Sequence, residues 1–159
     1  MTEADQWSQL TDAEGRPYDP RPALEAVRTG DADAGFAELW ERLHHQDDLG
    51  TAAYGAAPEL LDLMRSAARP DWRAYALIAT VDELRHKQGN PSIPEWLTHH
   101  YLTALNGAVD TALGHLRHTD EDLAVRSILA VLAHAKGQRT LGSIALWTED
   151  ERKEALGEP

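Results

Sequence analysis

PELLDLMRSAARPDWRAYALIATVDELRH, residues 58–86, is the stretch that decides the fold. In its first half, leucines and a methionine recur at spacings of three and four, which is the pattern of one apolar stripe along a helix. Pro70 prevents that helix from continuing, and Asp71 can cap the next one. The second half, residues 72–85, has a stripe of its own, formed by Leu77, Ile78, Val81 and Leu84. The stretch therefore predicts two helices joined by a tight corner.

The same apolar pattern returns 53 residues later. Neither helical hairpin can bury its stripe alone, so stacking the two side by side gives them a shared core. The period is longer than the roughly 40 to 47 residues usual for such repeats because residues 87–94 form a loop by composition. The corresponding positions are Leu60 and Leu113, Leu63 and Leu116, Trp72 and Val125, and Arg73 and Arg126.

Both stretches follow one order: a leucine pair, an acidic turn, an apolar residue with Arg, and an alanine-rich helix. This order resembles the HEAT repeat of α-solenoid proteins. In that family the Arg ties neighbouring turns together, so the resemblance implies a structural role for Arg73 and Arg126 and nothing catalytic. The run from His45 to Pro58, with its Gln, acids, Gly, Tyr and Ala-Ala-Pro, is similar to that of uncharacterised bacterial HEAT-like proteins. The resemblance implies a fold and no activity.

The expected fold is all-α: a short α-α superhelix of two to three stacked HEAT-like hairpins with capping helices. Residues 1–20 are expected to form a partly mobile leader, because Gly15, Pro17 and Pro20 break up an acidic segment. Residues 21–159 then form a single HEAT-like domain, whose last helix covers the exposed end of the stack. Its helices are expected over residues 21–29, 31 or 33 to 45, 51–67, 72–85, 96–118, 122–136 and 149–156, and residues 141–147 form a short apolar segment.

Three local signals support individual boundaries. Pro58 is expected to lie in a kinked but continuous helix. The spacing of Ser92 with Glu95, and of Thr148 with Glu151, is that of a capping box at a helix start.

Composition narrows the function classes. Twenty-seven acidic residues against 15 basic ones give a net charge of -12, so the surface is expected to repel nucleic-acid phosphate. The chain has no cysteine, which excludes disulfides and thiolate metal sites. No apolar run reaches the length of a membrane span, and the N-terminus has no basic region. A cytoplasmic protein without nucleic-acid or membrane partners is expected.

The eight histidines are the residues that could support an enzymatic function. One group, with ligand-type residues at a helix end, consists of His44, His45, Asp47 and Asp48; His99 and His100 form a second pair. Adjacent histidines on a helix point about 100° apart, so one pair rarely supplies two ligands to one metal. Capping of helix C-termini is the favoured interpretation of these histidines.

Glu83 and His86 have the Glu-x-x-His spacing that places two ligands on one helical face, as in di-iron bundles. Such bundles need a second copy of the motif, and the sequence has none. No Gly-rich phosphate loop is present either. No cofactor is therefore expected.

The leading hypothesis is a non-enzymatic protein-interaction module, of scaffold or immunity type, whose second helices, residues 72–86 and 123–136, line a shallow concave surface. The negative charge favours a basic protein partner. The candidate contact residues are Trp40, His44, His45, Tyr54, Glu83, His86 and His99, and the candidate structural residues are Pro58, Arg73 and Arg126. The alternative is a metal-dependent hydrolase using His44, His45, Asp47, Asp48 and either His99 or His100. A third hypothesis is a small ligand bound between the helices.

Overall fold

The computed structural model describes residues 2–158, except for the side chains of Glu3 and Ala4. This part of the chain contains nine α-helices and one two-stranded antiparallel β-hairpin. None of its helices is both long enough and apolar enough to cross a membrane. The elements are α1 (Glu3–Trp7), α2 (Arg21–Thr29), α3 (Ala32–Leu43), β1 (His44–His45), β2 (Asp48–Leu49), α4 (Ala52–Ser66), α5 (Trp72–Leu84), α6 (Glu95–Leu116), α7 (Asp122–Ala135), α8 (Arg139–Leu146) and α9 (Glu149–Leu156).

Helices α2 to α7 form three hairpins that stack in two layers. Within the hairpins, α2 packs on α3, α4 on α5, and α6 on α7. Between hairpins, α4 packs on α2 and α6, while α5 packs on α3 and α7. One layer is therefore α2, α4 and α6, the other is α3, α5 and α7, and α8 packs on α7 and α5. The predicted all-α fold of stacked helical hairpins is confirmed.

Several predicted boundaries are confirmed, and each has a visible cause. Helix α2 ends where Gly30 adopts a left-handed φ of 103°, a conformation that costs glycine little. Helix α4 runs through Pro58 without a break. The side chain of Asp71 accepts a hydrogen bond from the backbone N–H of Arg73 and so caps α5. Thr148 begins α9 with a complete capping box.

One predicted helix end and one predicted helix cap are wrong. Helix α3 was expected to reach His45, but it ends at Leu43 and the chain turns into the β-hairpin, where Gln46 has a φ of 53°. Residues 44–45 pair with residues 48–49 across that turn. The expected capping box of Ser92 does not form, because Pro94 stands at the N-cap of α6 without a side-chain cap hydrogen bond.

The last helix does not close the stack in the expected way. None of the described side chains of α9 is buried, and Leu156 is 74% exposed. An amphipathic helix covers a core only by burying an apolar stripe, and α9 buries none. The surface of α7 and α8 is therefore left open to solvent at several apolar positions, which include Leu129 and Leu141.

The segment expected as a leader contributes to the hydrophobic core. Trp7, Leu10 and Tyr18 are buried in it. The buried carboxylate of Asp12 accepts hydrogen bonds from nearby backbone N–H groups and forms an ion pair with Arg42 of α3 at 3.1 Å. Residues 7–18 therefore belong to the same packed body as the stacked hairpins.

Candidate functional site

The structure does not bring the candidate contact residues together. Trp40 and His44 touch edge to face, with ring centroids 5.0 Å apart, while His45 and His99 are exposed. Burial, followed by the nearby charge of His45, lowers the pKa of His44. Neither ring nitrogen of His44 has a hydrogen-bond partner among the described residues. The predicted capping role of His44 is therefore wrong, because its ring binds none of the carbonyls at the end of α3.

The metal hypothesis lacks a ligand set. Among the side chains that the structure describes, no three from His, Asp or Glu come close enough together to hold a metal ion. His44 and His45 lie in β1, where successive side chains point to opposite faces. Asp47 is instead held by Lys87, with 2.6 Å between its Oδ1 and the lysine Nζ. The residues of the hydrolase alternative therefore do not form the site that this chemistry needs.

Tyr54 is a core residue and cannot serve as an exposed contact. Its side chain is 0% exposed, and its hydroxyl donates a hydrogen bond of 2.6 Å to the backbone carbonyl of Pro91. Burial raises the pKa of Tyr54 to about 12, so the hydroxyl remains a donor at neutral pH. The residue ties the loop before α6 to α4.

Replacing Tyr54 with phenylalanine is expected to lower the free energy of unfolding by about 1 kcal/mol, the usual value of one neutral hydrogen bond. The ring and its packing against Tyr101 remain, because only the hydroxyl is lost. Urea unfolding measures the change, and hydrogen exchange over residues 87–94 should report faster opening of the loop. An unchanged stability together with unchanged exchange would contradict this role.

Arg73 and Arg126 each join their own helix to another element. Arg73 pairs with an aspartate at its own corner and, at 2.6 Å, with Asp33 of α3. Arg126 pairs with Asp122 one turn earlier and donates hydrogen bonds to two backbone carbonyls at the end of α8. Arg73 thus reaches the preceding hairpin and Arg126 the following helix, so their surroundings are not equivalent.

Glu83 and His86 lie next to a buried polar network that the sequence reasoning missed. Asp82 is 1% exposed, and its Oδ1 accepts hydrogen bonds from Arg85 at 2.6 Å and from the Tyr101 hydroxyl at 3.1 Å. The other oxygen lies 3.2 Å from Nδ1 of His134 in α7. The network therefore joins α5, α6 and α7 within the core.

Electrostatics keep this carboxylate charged. Burial alone would raise the pKa of Asp82, but the neighbouring His134 and Arg85 outweigh it and hold that pKa below its ordinary value. Both burial and the charge of Asp82 raise the pKa of Tyr101. The network is closed to solvent, with Asp82, Tyr101 and His134 all buried. Its role is to fix the relative positions of the helices.

Helix α8 packs directly over this network. A Cβ placed on Gly142 would lie 2.6 Å from both Cδ2 and Nε2 of the His134 ring. The missing side chain thus allows the backbone of α8 to approach α7 closely. This approach fixes the width of the cleft between the two helices.

That cleft is the candidate binding site, an apolar groove with a volume of about 600 Å³. Its most accessible apolar side chains are Leu129, 43% exposed, and Leu141, 59% exposed. Apolar pockets of about 300 to 1,000 Å³ with a few polar groups at the edge are typical binding sites. The apolar lining residues are Val125, Leu129, Leu132 and Ala133 of α7 and Leu141, Ile144 and Ala145 of α8.

The charged residues at the rim of the groove are Arg126, Lys136, Arg152 and Asp122. Two of the three cations are already in ion pairs of 2.9 Å, Arg126 with Asp122 and Arg152 with Glu149 of α9. Lys136 is exposed and has no ion pair among the described residues, so its ammonium group is accessible to a bound molecule.

The expected concave ridge of second helices is only partly available. Helix α5 is buried over residues 74–79 and again at Val81, Asp82 and Leu84, so it offers little surface. Helix α7, in contrast, exposes Leu123 and Leu129. Of these two second helices, α7 therefore offers more apolar surface, and Leu141 of α8 lies across the groove from it.

The sequence carries a signal for the buried positions of Asp82 and His134, but none for the groove. Asp82 follows Ile78 by four residues and His134 follows Ser127 by seven, so the helical period places both on the inner faces of their helices. A charged residue on an inner face is a signal that could have been used. The groove has no comparable signal, because leucines at a surface and leucines in a core give the same pattern.

Comparisons with known proteins place the chain in no family. No protein-family model, no curated protein and no solved structure matches it. What the chain does is therefore inferred from the groove, its charged rim and the packing of its helices.

Proposed function

We propose that this protein is a non-enzymatic, HEAT-like interaction module that binds a protein partner in the groove between α7 and α8. The observation that carries the proposal is the open apolar surface of this groove. Large apolar side chains that remain exposed and contiguous beside a cleft are typical of protein interaction sites. Two layers of stacked hairpins support the comparison with HEAT-like scaffolds, which use an extended helical surface for binding.

The position of the groove also supports a binding role. In a stack of helical hairpins, each hairpin covers its neighbour and the terminal one needs a polar outer face. Here α7 and α8 end the stack, and α9, which follows them, leaves Leu129 and Leu141 exposed. A partner that covers these leucines would remove apolar surface from water, which is favourable by about 25 cal/mol per Å².

A second apolar cleft adjoins the groove. It has a volume of about 260 Å³ and includes Trp40 and Trp72, with Leu123 and Leu146 at its α7–α8 side. Arg126 lines both the cleft and the groove. Trp residues dominate the energetics of many interfaces. Trp40, one of the candidate contact residues, therefore remains a contact residue in this proposal.

The test is a double variant in which Leu129 and Leu141 are both replaced by glutamate. Because a charge in an apolar contact loses the favourable burial and adds a desolvation cost, partner binding should fall by at least tenfold. Wild type and variant are immobilised, exposed to lysate of the native host, and compared by quantitative mass spectrometry. A protein retained by the wild type and lost by the variant is the expected result.

The control replaces Leu102, an exposed leucine of α6 that is 39% accessible and does not line the groove, by glutamate. This change should leave retention of the same protein unaltered. Circular dichroism and thermal unfolding show whether each variant is folded, and Leu141→Glu alone serves if the double variant is not. Equal retention by wild type, groove variant and control would refute the proposed site.

A further inference from the structure

We infer that the occupant of the groove is an amphipathic helix of a partner protein, about three turns long, with apolar residues along its centre and acidic residues at the end that lies beside Lys136. This inference rests on the proposed function and specifies the partner's chemistry.

The apolar lining has the arrangement that receives a helix. Val125, Leu129 and Leu132 follow one another at spacings of four and three, so they form one row along α7. Leu141 and Ile144 form the facing row on α8, at a spacing of three. Two such rows make a groove into which the apolar stripe of a third helix, with its own residues at i, i+3, i+4 and i+7, can insert.

The rim charges determine which helix fits. Arg126 and Lys136 stand ten residues apart on the same helix, which corresponds to about 15 Å along its axis. Arg126 and Arg152 both donate hydrogen bonds to the backbone carbonyl of Trp147. These bonds place both guanidinium groups at one end of the groove, where Arg126 is already paired with Asp122 and Arg152 with Glu149. Lys136 marks the other end and has no ion pair among the described residues. An entering helix with Asp or Glu at the end beside Lys136 would therefore meet an unpaired positive charge.

The charge near Lys136 matters more for this contact than the net charge. Interactions between exposed charges decay over about 8 Å at physiological ionic strength. Distant acidic residues of the chain therefore act weakly on a ligand beside Lys136, whereas the ammonium group of Lys136 acts at contact distance. The basic partner expected from the net charge of -12 consequently does not apply to the Lys136 end of the groove.

A displayed library of 14-residue helical peptides tests the inference. The peptides carry apolar residues at the central i, i+3, i+4 and i+7 positions and all amino acids at the four flanking positions, and they are selected on the full-length protein. Acidic residues should be enriched at one flank, the one that meets Lys136, and not at the other. Because a surface ion pair contributes little, Lys136→Glu should weaken the selected peptides only about threefold to tenfold, with a smaller effect at high salt.

Lys153→Glu is the matched control, because Lys153 lies in α9 beside Arg152 but does not line the groove. It should leave peptide affinity unchanged. The Leu129 and Leu141 double variant should abolish binding of the selected peptides.

The remaining outcomes separate this inference from the proposed function. Groove-dependent peptides with basic or neutral flanks would overturn the charge argument and leave the proposed function standing. If no peptide binds but a host protein is still retained in a groove-dependent manner, the occupant is not a helix of this kind and the proposed function stands. Self-association lost in the groove variant would instead identify a second copy of this chain as the occupant. If neither peptide binding nor retention of a host protein depends on the groove, both proposals are overturned.

Discussion

Replacing Asp82 with alanine is expected to lower the free energy of unfolding by about 3 to 5 kcal/mol, the cost of removing one partner from a buried ion pair. The substitution leaves Arg85 without its carboxylate and the buried hydroxyl of Tyr101 without its acceptor. It also removes the anion beside His134. Urea unfolding of both proteins at pH 7, followed by circular dichroism, measures the difference.

The matched control is Asp62→Ala. Asp62 also pairs with an arginine three residues later, Arg65, but on the surface, where the two side chains are 47% and 59% exposed. An exposed pair of this kind contributes at most about 1 kcal/mol. A loss at Asp82 as small as that at Asp62 would show that the buried network does not hold the helices together.

The same network predicts a pH dependence. The pKa of Asp82 is lower in the folded chain than its ordinary value of 3.8. Its ionised form is therefore favoured by folding, and the contribution is fully present above about pH 4 and is lost as the pH falls through the folded-state pKa. The stability difference between wild type and Asp82→Ala should accordingly be constant from pH 5 to 7 and shrink below pH 4. A difference that grows on acidification would contradict the charged state assigned to Asp82.

Local sequence signals were sufficient for helices α2 to α7 and α9 and for most of their boundaries, but not for α1 and α8. The corner at residues 70–71 was predictable because proline and a capping aspartate act within a few residues of themselves. The end of α3 was not, since the turn at Gln46 is stabilised by pairing of residues 44–45 with residues 48–49. The local sequence at residues 44–45 fits either the end of a helix or a short strand, and only the pairing with residues 48–49 decides between them.

Long-range packing explains what the sequence could not show. The backbone N–H of Thr11 donates to the hydroxyl of Thr51, 40 residues away, and such contacts incorporate residues 7–18 into the core. Leu129 and Leu132 belong to one apolar run, yet Leu129 is exposed and Leu132 is packed against the core. Which leucine is covered depends on the position of α8, and no pattern within α7 contains that information.

Replacing Gly142 with alanine is expected to move α8 and to lower the free energy of unfolding by about 1 to 2 kcal/mol. The new methyl group would lie 2.6 Å from the ring of His134, whose side chain is fully buried and has Asp82 at 3.2 Å. The ring has little room to move, so α8 must shift. Overpacking of this kind costs about 1 to 3 kcal/mol, and the better helix propensity of alanine offsets up to about 1 kcal/mol of it.

Gly114→Ala is the control, because Gly114 lies in α6 and a Cβ there would meet no atom within 4 Å. It should raise stability by about 0.5 to 1 kcal/mol through helix propensity alone. Thermal and urea unfolding of the two variants should therefore change in opposite directions.

Since α8 forms one wall of the groove, Gly142→Ala should also weaken partner binding although residue 142 does not line the groove. Stabilisation by Gly142→Ala would mean that α8 and α7 are not held at the spacing on which the groove depends.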